Sequence, residues 1–457
     1  MANHLSLFDQ EKHPRGMYVL AFTELFERFS YYTLSFLLVL FASDQVAHGG
    51  LGWSKENALT LSSVYTCSAF VLPILGGFLA DKWLGIYPSA ITGALLIITG
   101  HVLMFFANAE HLNYLFSALF LVALGTAFFK PCLPSMLGQL YSPESKHREA
   151  GFSYYYMGIN LGAMFAGIIS GLLLQRFGYQ IALSSAAVGM IVGLTVFVLG
   201  KRHLRPHSDE YMAAAKNNAR LSPIASSPQQ SKALSYLCLS YLFVAIWALV
   251  YNLALSGTLT LYIENFTKKT VYGYNIPSTF FQSLESIGII LTAPALIFFY
   301  RLLGEKRSPH FFSQMNIAVL LSTLALSLLT FMSYQVADVN LNTTVGYTPF
   351  AWYQMTILIL IVSVSEVMIS PVMMSAISLL SPEKSKTMFQ SFFLFVIGVM
   401  GLIAGKIGAI SLSNPFQTFL LVTISAAVIA TLYTLVRKSM VEAASIAAQE
   451  KDLQTSR

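Results

Sequence analysis

Three charged side chains lie close together in an apolar stretch near the start of the chain. Glu24, Glu27 and Arg28 are spaced by one to four residues, so a helix places all three on one face. Three polar residues continue that face, namely Tyr31, Tyr32 and Ser35. Buried carboxylates beside a base can take up and release protons, and charges inside a membrane mark ion or proton pathways. A local Glu24–Arg28 pair would neutralise only two of these charges and would leave Glu27 without a partner.

Further ionisable residues occur inside later apolar stretches. Lys130 lies in GTAFFKP, where the following proline removes a backbone donor and loosens the helix. We expect this lysine to reach Glu24 or Glu27 in at least one state, because an unpaired buried charge is costly; snorkelling to the surface is the alternative. Glu285 and Glu366 complete a set of four acids and two bases. Full ionisation of such a set away from water is unfavourable, so we predict that at least one acid holds a proton near neutral pH.

The elements that position these residues are membrane helices. Of the 457 residues, 55% are hydrophobic and 11% are charged, whereas a soluble domain has roughly 25% charged residues. About 20 apolar residues are enough to cross the hydrocarbon as a helix. The hydropathy pattern predicts an all-α membrane protein with twelve spans, at about 16–42, 55–80, 87–108, 111–139, 150–175, 179–200, 234–264, 277–303, 309–334, 350–379, 386–409 and 415–436.

The spans form two halves that echo one another. We predict a six-helix bundle at 1–200, a linker at 201–233, a second six-helix bundle at 234–436 and a tail at 437–457. The turn SPESK at 142–146 matches SPEKSK at 381–386, and KWLG at 82–85 matches RLLG at 301–304, as internal repeats of a transporter would. Twenty of the 27 Lys and Arg residues fall on the side of the amino terminus and four on the other side. This bias predicts that the linker and both termini are cytoplasmic.

Other classes of function lack their motifs. The basic residues form short clusters between spans, which is typical of membrane topology and argues against nucleic-acid binding. The three cysteines lie in apolar segments without CxxC spacing, the sequence has no HExxH motif, and GLIAGKI at 401–407 is one residue short of a Walker A loop. We therefore expect a monomeric transporter rather than an enzyme. Its partners would be the lipid bilayer and a small-molecule substrate, with protons as coupling ion and no other cofactor.

Four runs of this sequence resemble signatures of the proton-dependent oligopeptide transporters, a family of the major facilitator superfamily. They are the first-span ExxER run at 24–28, the Phe-Lys-Pro around Lys130, the YYMGINLG run at 155–162, and Glu366 with the Ser-Pro that follows it. The resemblance covers nearly the whole chain. It implies the major facilitator fold, alternating access, and uptake of di- and tripeptides driven by protons.

The resemblance also implies roles for individual residues. Proton coupling is assigned to Glu24, Glu27, Arg28 and Lys130. Asn160 is expected to contact the peptide, and Glu366 to meet its amino group. The pocket departs from the residues that are usual in the family. This sequence has Ser35 in place of a basic residue, Tyr251 and Asn252 in place of an acid and a glutamine, Glu285 in place of asparagine, and Ser391 in place of tryptophan. We retain these positions as substrate-binding candidates, together with Tyr31 and Tyr32.

The expected function is proton-coupled transport of peptides or peptide-like molecules. Short outer loops, such as 335–349, favour a bacterial inner membrane. Two alternatives stay open: a facilitator for another zwitterionic or cationic metabolite, and a non-transporting membrane receptor that uses the same fold.

Overall fold

The structure is a computed structural model that describes residues 13–141, 147–204, 228–304, 308–342, 346–381 and 386–455. Within these ranges, twelve helical segments are long and apolar enough to cross a membrane, two of which, Leu112–Gln139 and Trp352–Leu380, are each made of two helices; this confirms the predicted number of spans. The helices are α1 Arg15–Ser43, α2 Lys55–Leu79, α3 Ile86–Met104, α4 Leu112–Phe129, α5 Cys132–Gln139, α6 Arg148–Phe177, α7 Tyr179–Leu199, α8 Pro228–Leu255, α9 Thr258–Phe266, α10 Ser278–Leu303, α11 Phe311–Tyr334, α12 Trp352–Val367, α13 Ser370–Leu380, α14 Lys386–Ser413 and α15 Pro415–Thr455. Four two-residue strands, Thr267–Lys268, Thr270–Val271, Tyr274–Asn275 and Phe350–Ala351, form two small pairs between the helices.

Three of the predicted spans are interrupted rather than continuous. The fourth breaks between α4 and α5 at Lys130, where Pro131 has no backbone N–H to donate. The tenth breaks between α12 and α13, just before a Ser-Pro pair. The seventh was predicted to continue to residue 264, but α8 ends at Leu255 and Gly257 adopts a left-handed φ of 95° before α9 begins. Broken helices at membrane depth occur where backbone lines a cavity or is buried in protein.

The predicted linker and tail differ in extent from the structure. Helix α8 begins at Pro228, so the last residues assigned to the linker are helical, and residues 205–227 lie outside the described ranges. The predicted tail is not a separate element, because α15 continues without a break to Thr455. The reason is local: this stretch is rich in alanine and other strong helix formers, and its Met440, Ala443 and Ala444 are buried.

The internal repeat is visible in the backbone of two turns. Gly85 ends the second span with φ 79° and ψ 150°, and Gly304 ends the eighth with φ 74° and ψ 163°. They are the last residues of the matched KWLG and RLLG sequences, so the two halves use the same turn at equivalent places. The other matched turn, at 142–146 and 382–385, lies outside the described residues.

The two halves meet on the face of the protein that carries the carboxyl end of α1, called the distal face below. There α6 packs against α10, and α2 packs against α14. Four hydrogen bonds between described residues reinforce the contact: Lys55 Nζ donates to Leu341 O (2.8 Å), Gln175 Nε2 to Asn275 O (2.9 Å), Tyr274 OH to Gln175 Oε1 (3.4 Å) and Ser283 Oγ to Met164 O (2.9 Å). Toward the opposite face, called the terminal face, α5 packs on α1, α3, α4 and α6, and α13 packs on α8, α11, α12, α14 and α15. The chain is therefore clamped on its distal face in this conformation.

Candidate functional site

The first-span charges form a closed cluster inside the amino-terminal half. Arg28 Nε lies 3.1 Å from Glu24 Oε1, and the same guanidinium also pairs with Glu27. All three side chains are at most 5% exposed. Our expectation that a Glu24–Arg28 pair would leave Glu27 without a partner was wrong, because the forked guanidinium can bind both carboxylates at once.

A tyrosine from α6 completes this cluster. Tyr155 donates its hydroxyl hydrogen bond to Glu24 Oε2 at 2.6 Å, and it is buried. The sequence placed Tyr155 in a family signature but gave no sign of this contact. The two helices approach closely because Gly158 and Gly162 face the backbone of α1, at Ala21 and Leu25. Helix contacts through small residues are the usual way for membrane helices to pack tightly.

Lys130 lies apart from the acids in this conformation. Its Nζ donates to Ala69 O at 3.3 Å and sits 4.0 Å from the centre of the Phe70 ring, both on α2. Among the ion pairs of the described residues, none joins Lys130 to Glu24 or Glu27. Arg28 already holds both carboxylates here, so the contact that we expect in at least one state stays a prediction.

A second group of polar residues surrounds a cavity between the halves. The cavity has a volume of about 20 Å³, which is space for about one water molecule. It is lined by Tyr32, Phe36, Tyr156, Ile159, Asn160, Tyr251, Glu285, Ser286, Ile289 and Glu366. Residues from α1 and α6 of one half thus face residues from α8, α10 and α12 of the other. This chamber at the interface between the halves is called the central cavity below.

The structure brings together some of the predicted substrate residues and separates others. Tyr32, Asn160, Tyr251, Glu285 and Glu366 all line the central cavity. Tyr156, Phe36 and Ser286 line it too, although sequence reasoning did not select them. Tyr156 could have been found, since it lies one turn before Asn160, accepts that residue's amide hydrogen bond through its carbonyl, and belongs to the same signature.

Four other candidates lie away from the central cavity. Tyr31 stacks on Tyr65, and the Arg28 guanidinium lies 5.0 Å from the centre of the Tyr31 ring. Ser35 is buried one helical turn after Tyr31. Asn252 is fully buried and donates to Ala248 O (2.8 Å) and Ile397 O (2.9 Å), so it joins α8 to α14. Ser391 is half-buried near the terminal end of α14 and does not line the cavity. Tyr31, Ser35 and Asn252 therefore act in packing within and between helices in this conformation.

A larger cavity, of about 280 Å³, opens at the distal face. Glu264 and Lys269 pair at 2.6 Å on its carboxyl-terminal side, and Tyr179 donates to Asp44 Oδ2 at 3.0 Å on its amino-terminal side. Its charged groups are thus already engaged with partners at the cavity. The central cavity, with its unpaired acids at the interface, is the better candidate for the substrate site.

Comparison with known proteins identifies the family. A family model described as the POT family matches residues 89–229 and 207–419, which together cover most of the chain. The chain belongs to the POT family. It is 27% identical over 461 residues to the peptide transporter YePEPT of Yersinia enterocolitica subsp. palearctica, a match that covers 87% of this chain and 88% of that protein.

Two further comparisons, with one relative and one solved structure, agree with this family. A di-/tripeptide transporter of Lactococcus lactis subsp. cremoris is 39% identical over 212 residues, which are 45% of this chain and 42% of that protein. Among solved structures, a mutant of the peptide transporter POT in complex with sulfate superimposes with a TM-score of 0.80 at 26% identity, over 95% of this chain and 96% of that one. The predicted family and the twelve-helix, two-half fold of the POT transporters are confirmed.

Proposed function

We propose that this POT protein is a proton-coupled secondary active transporter of di- and tripeptides or peptide-like small molecules that works by alternating access. The observation that carries the proposal is the buried cluster of Glu24, Glu27 and Arg28, together with a buried Lys130 that contacts Ala69 and Phe70 and pairs with neither acid among the described contacts. Charged groups in a membrane interior cost free energy, and a set that can exchange partners can store a proton in one state and release it in another. The names of the peptide-transporting relatives support the substrate class.

The proposed coupling depends on competition for two carboxylates. In the clamped conformation Arg28 holds both Glu24 and Glu27. Protonation of one acid weakens its ion pair with Arg28, and the two pairs lie within α1. When the acid later loses its proton, Lys130 can become its new partner as α4 and α5 move about the break at Pro131. The break supplies the freedom for that motion because the helix lacks a hydrogen bond there.

Substrate binding is proposed at the central cavity, where the two halves meet. A peptide presents an ammonium group and a carboxylate, so recognition needs acceptors of hydrogen bonds as well as donors. Glu285 and Glu366 provide acceptors from the second half, and Asn160, Tyr32 and Tyr156 provide polar contacts from the first. Because the cavity is too small for a peptide in this conformation, loading requires the halves to separate.

The setting proposed for this activity is a bacterial inner membrane with both termini in the cytoplasm. Bacterial relatives and the bias of Lys and Arg toward the terminal face support it. One chain contains both halves and the central cavity, so we propose that the monomer is the transport unit.

A facilitator for a zwitterionic or cationic metabolite is the second candidate, favoured by the two acids of the cavity. A non-transporting receptor would bind ligand without moving protons.

The test uses purified protein in liposomes with an inside-alkaline pH gradient and an inside-negative potential. We expect concentrative uptake of labelled Ala-Ala. Lys130→Ala should abolish that accumulation and leave Ala-Ala counterflow partly intact, because counterflow needs binding and movement but no net proton transfer. Lys406→Ala, which changes an exposed lysine of α14, is the matched control and should accumulate peptide normally. Accumulation that survives in Lys130→Ala would show that the cluster is structural, and the proposed mechanism would be wrong.

A further inference from the structure

Two acidic side chains of the second half share the central cavity. Glu285 on α10 is 9% exposed, and Glu366 on α12 lines the same cavity from the neighbouring helix. Each has one buried carboxylate oxygen, Glu285 Oε1 and Glu366 Oε2, for which the described residues provide no hydrogen-bond partner. Leaving a buried acceptor without a partner costs about 1–3 kcal/mol, and more for a charged group. These two oxygens are therefore suited to a donor that arrives with the ligand.

The residues that the structure describes offer no cation to this pair. The other residues that line the cavity are aromatic, aliphatic or neutral polar groups. The buried bases of the first half are engaged elsewhere, since Arg28 holds Glu24 and Glu27 and Lys130 contacts Ala69 and Phe70. Electrostatic complementarity then requires that positive charge be supplied from outside.

The spacing of the acids indicates how many positive groups fit. Helices α10 and α12 run in the same direction and touch where Gly288 faces Ser363, with a Cβ built on the glycine only 2.6 Å from the serine hydroxyl. Glu285 lies three residues before this contact and Glu366 three residues after it. Six residues at 1.5 Å each separate the two positions by about 9 Å along the helix axes. The two acids are thus carried at different levels of neighbouring helices, and two ammonium groups on one flexible stem can each bind one of them.

We propose that Glu285 and Glu366 form a paired subsite for a ligand with two ammonium groups, so that this transporter prefers peptides whose first residue is lysine or another basic amino acid. The proposal rests on the proposed peptide-transport function and adds a substrate class to it. The peptide amino group binds Glu366, and the side-chain ammonium, at the end of its four-carbon stem, binds Glu285. A ligand with an acidic first residue places a carboxylate against the same oxygens and is disfavoured.

The experiment compares ligands that differ by a single amine. Lys-Ala and norleucyl-alanine have nearly the same stem, and only the first carries the second ammonium. Their inhibition of labelled Ala-Ala uptake is measured in wild-type liposomes, and their binding to purified protein is measured by calorimetry. We expect Lys-Ala to act at about tenfold lower concentration, as one charge-assisted hydrogen bond would give. Glu-Ala should act at a higher concentration than either peptide.

Two variants locate the effect. Glu285→Gln should reduce the Lys-Ala to norleucyl-alanine ratio to about one, because the amide keeps the shape of the side chain and removes its charge. Glu264→Gln changes an acid at the distal cavity, outside the central one, and should keep the wild-type ratio. The ratio is read from binding as well as uptake, so a Glu285→Gln protein that no longer transports is still informative.

The outcomes separate this proposal from the function on which it rests. Equal action of Lys-Ala and norleucyl-alanine on the wild type would overturn the paired subsite, as would an unchanged ratio in Glu285→Gln. Failure of the wild type to take up or bind any peptide would instead refute the proposed function. In that case 1,5-diaminopentane and pentylamine test the subsite directly: tighter binding of the diamine, lost in Glu285→Gln, supports it, and equal binding refutes it.

Discussion

Gly167 on α6 provides the sharpest test of the distal clamp. It faces α10 of the other half, and a Cβ at this position would collide with the Thr279 carbonyl and the Ser283 hydroxyl. Ser283 also donates to Met164 O at 2.9 Å, so the added methyl group would disturb a hydrogen bond between the halves. Gly167→Ala should therefore destabilise the clamped conformation and leave conformations with separated halves unaffected.

The size of the effect follows from the kind of contact. Adding one methyl group to a close-packed interface costs about 1–3 kcal/mol. Because only the clamped state bears this cost, the ratio of clamped to separated molecules should fall by about 5- to 150-fold. Gly158→Ala is the matched control on the same helix. Its Cβ would lie 2.7 Å from Ala21 O, but Ala21 belongs to the same half, so this strain is present in every state.

The assay is pulsed electron–electron distance measurement between spin labels on the distal face. His48→Cys and Tyr272→Cys place the labels on exposed residues of opposite halves, in a background from which the native cysteines have been removed. We expect a new, longer distance in Gly167→Ala and the wild-type distribution in Gly158→Ala, together with lower thermal stability in the latter. Identical distributions in all three proteins, or an equal shift in both variants, would refute the view that Gly167 acts as a contact between moving halves.

Two further predictions concern orientation and the charged cluster. In intact bacterial cells, a cysteine at Tyr272 should react with a membrane-impermeant thiol reagent and a cysteine at His203 should not; the reverse pattern would invert the proposed topology. Tyr155→Phe should lower the stability of the protein by about 1.5–3 kcal/mol, the value of a hydrogen bond to a charged group. The exposed neighbour Tyr154 serves as control, and a Tyr154→Phe protein that melts as early as Tyr155→Phe would contradict this account.

The positions of the spans could be predicted because hydropathy acts over some 20 residues and tolerates local error. The weak point of the fourth span at Pro131 was predicted as well, but the break of the seventh span was not. Gly257 breaks the seventh span, yet Gly288 lies inside α10 without interrupting it. A glycine permits a left-handed residue but does not impose one, and the surrounding packing decides between the two outcomes.

The candidate site was predictable in its residue types and less so in its geometry. Spacing placed Glu24, Glu27 and Arg28 on one face, but it did not reveal that one guanidinium binds both acids. Resemblance carried Asn252 and Ser391 into the pocket, although helical packing turns the first toward α14 and places the second near a helix end. Which neighbour a side chain meets depends on how helices rotate against each other, and one sequence does not contain that information in any local pattern.

The paired turns at Gly85 and Gly304 have a consequence for how the protein tolerates change. Both residues have φ near 75–80°, yet among the described residues no atom lies within 4 Å of a Cβ built on Gly304, and only Pro88 approaches one on Gly85. The restriction on these positions is thus set by the backbone itself and owes little to neighbours. A turn of this kind keeps its backbone conformation when the helices around it tilt. We therefore expect both turns to have the same conformation in every state of the transporter. A gene duplication could copy such a turn into the second half without further adaptation, because it does not depend on its surroundings.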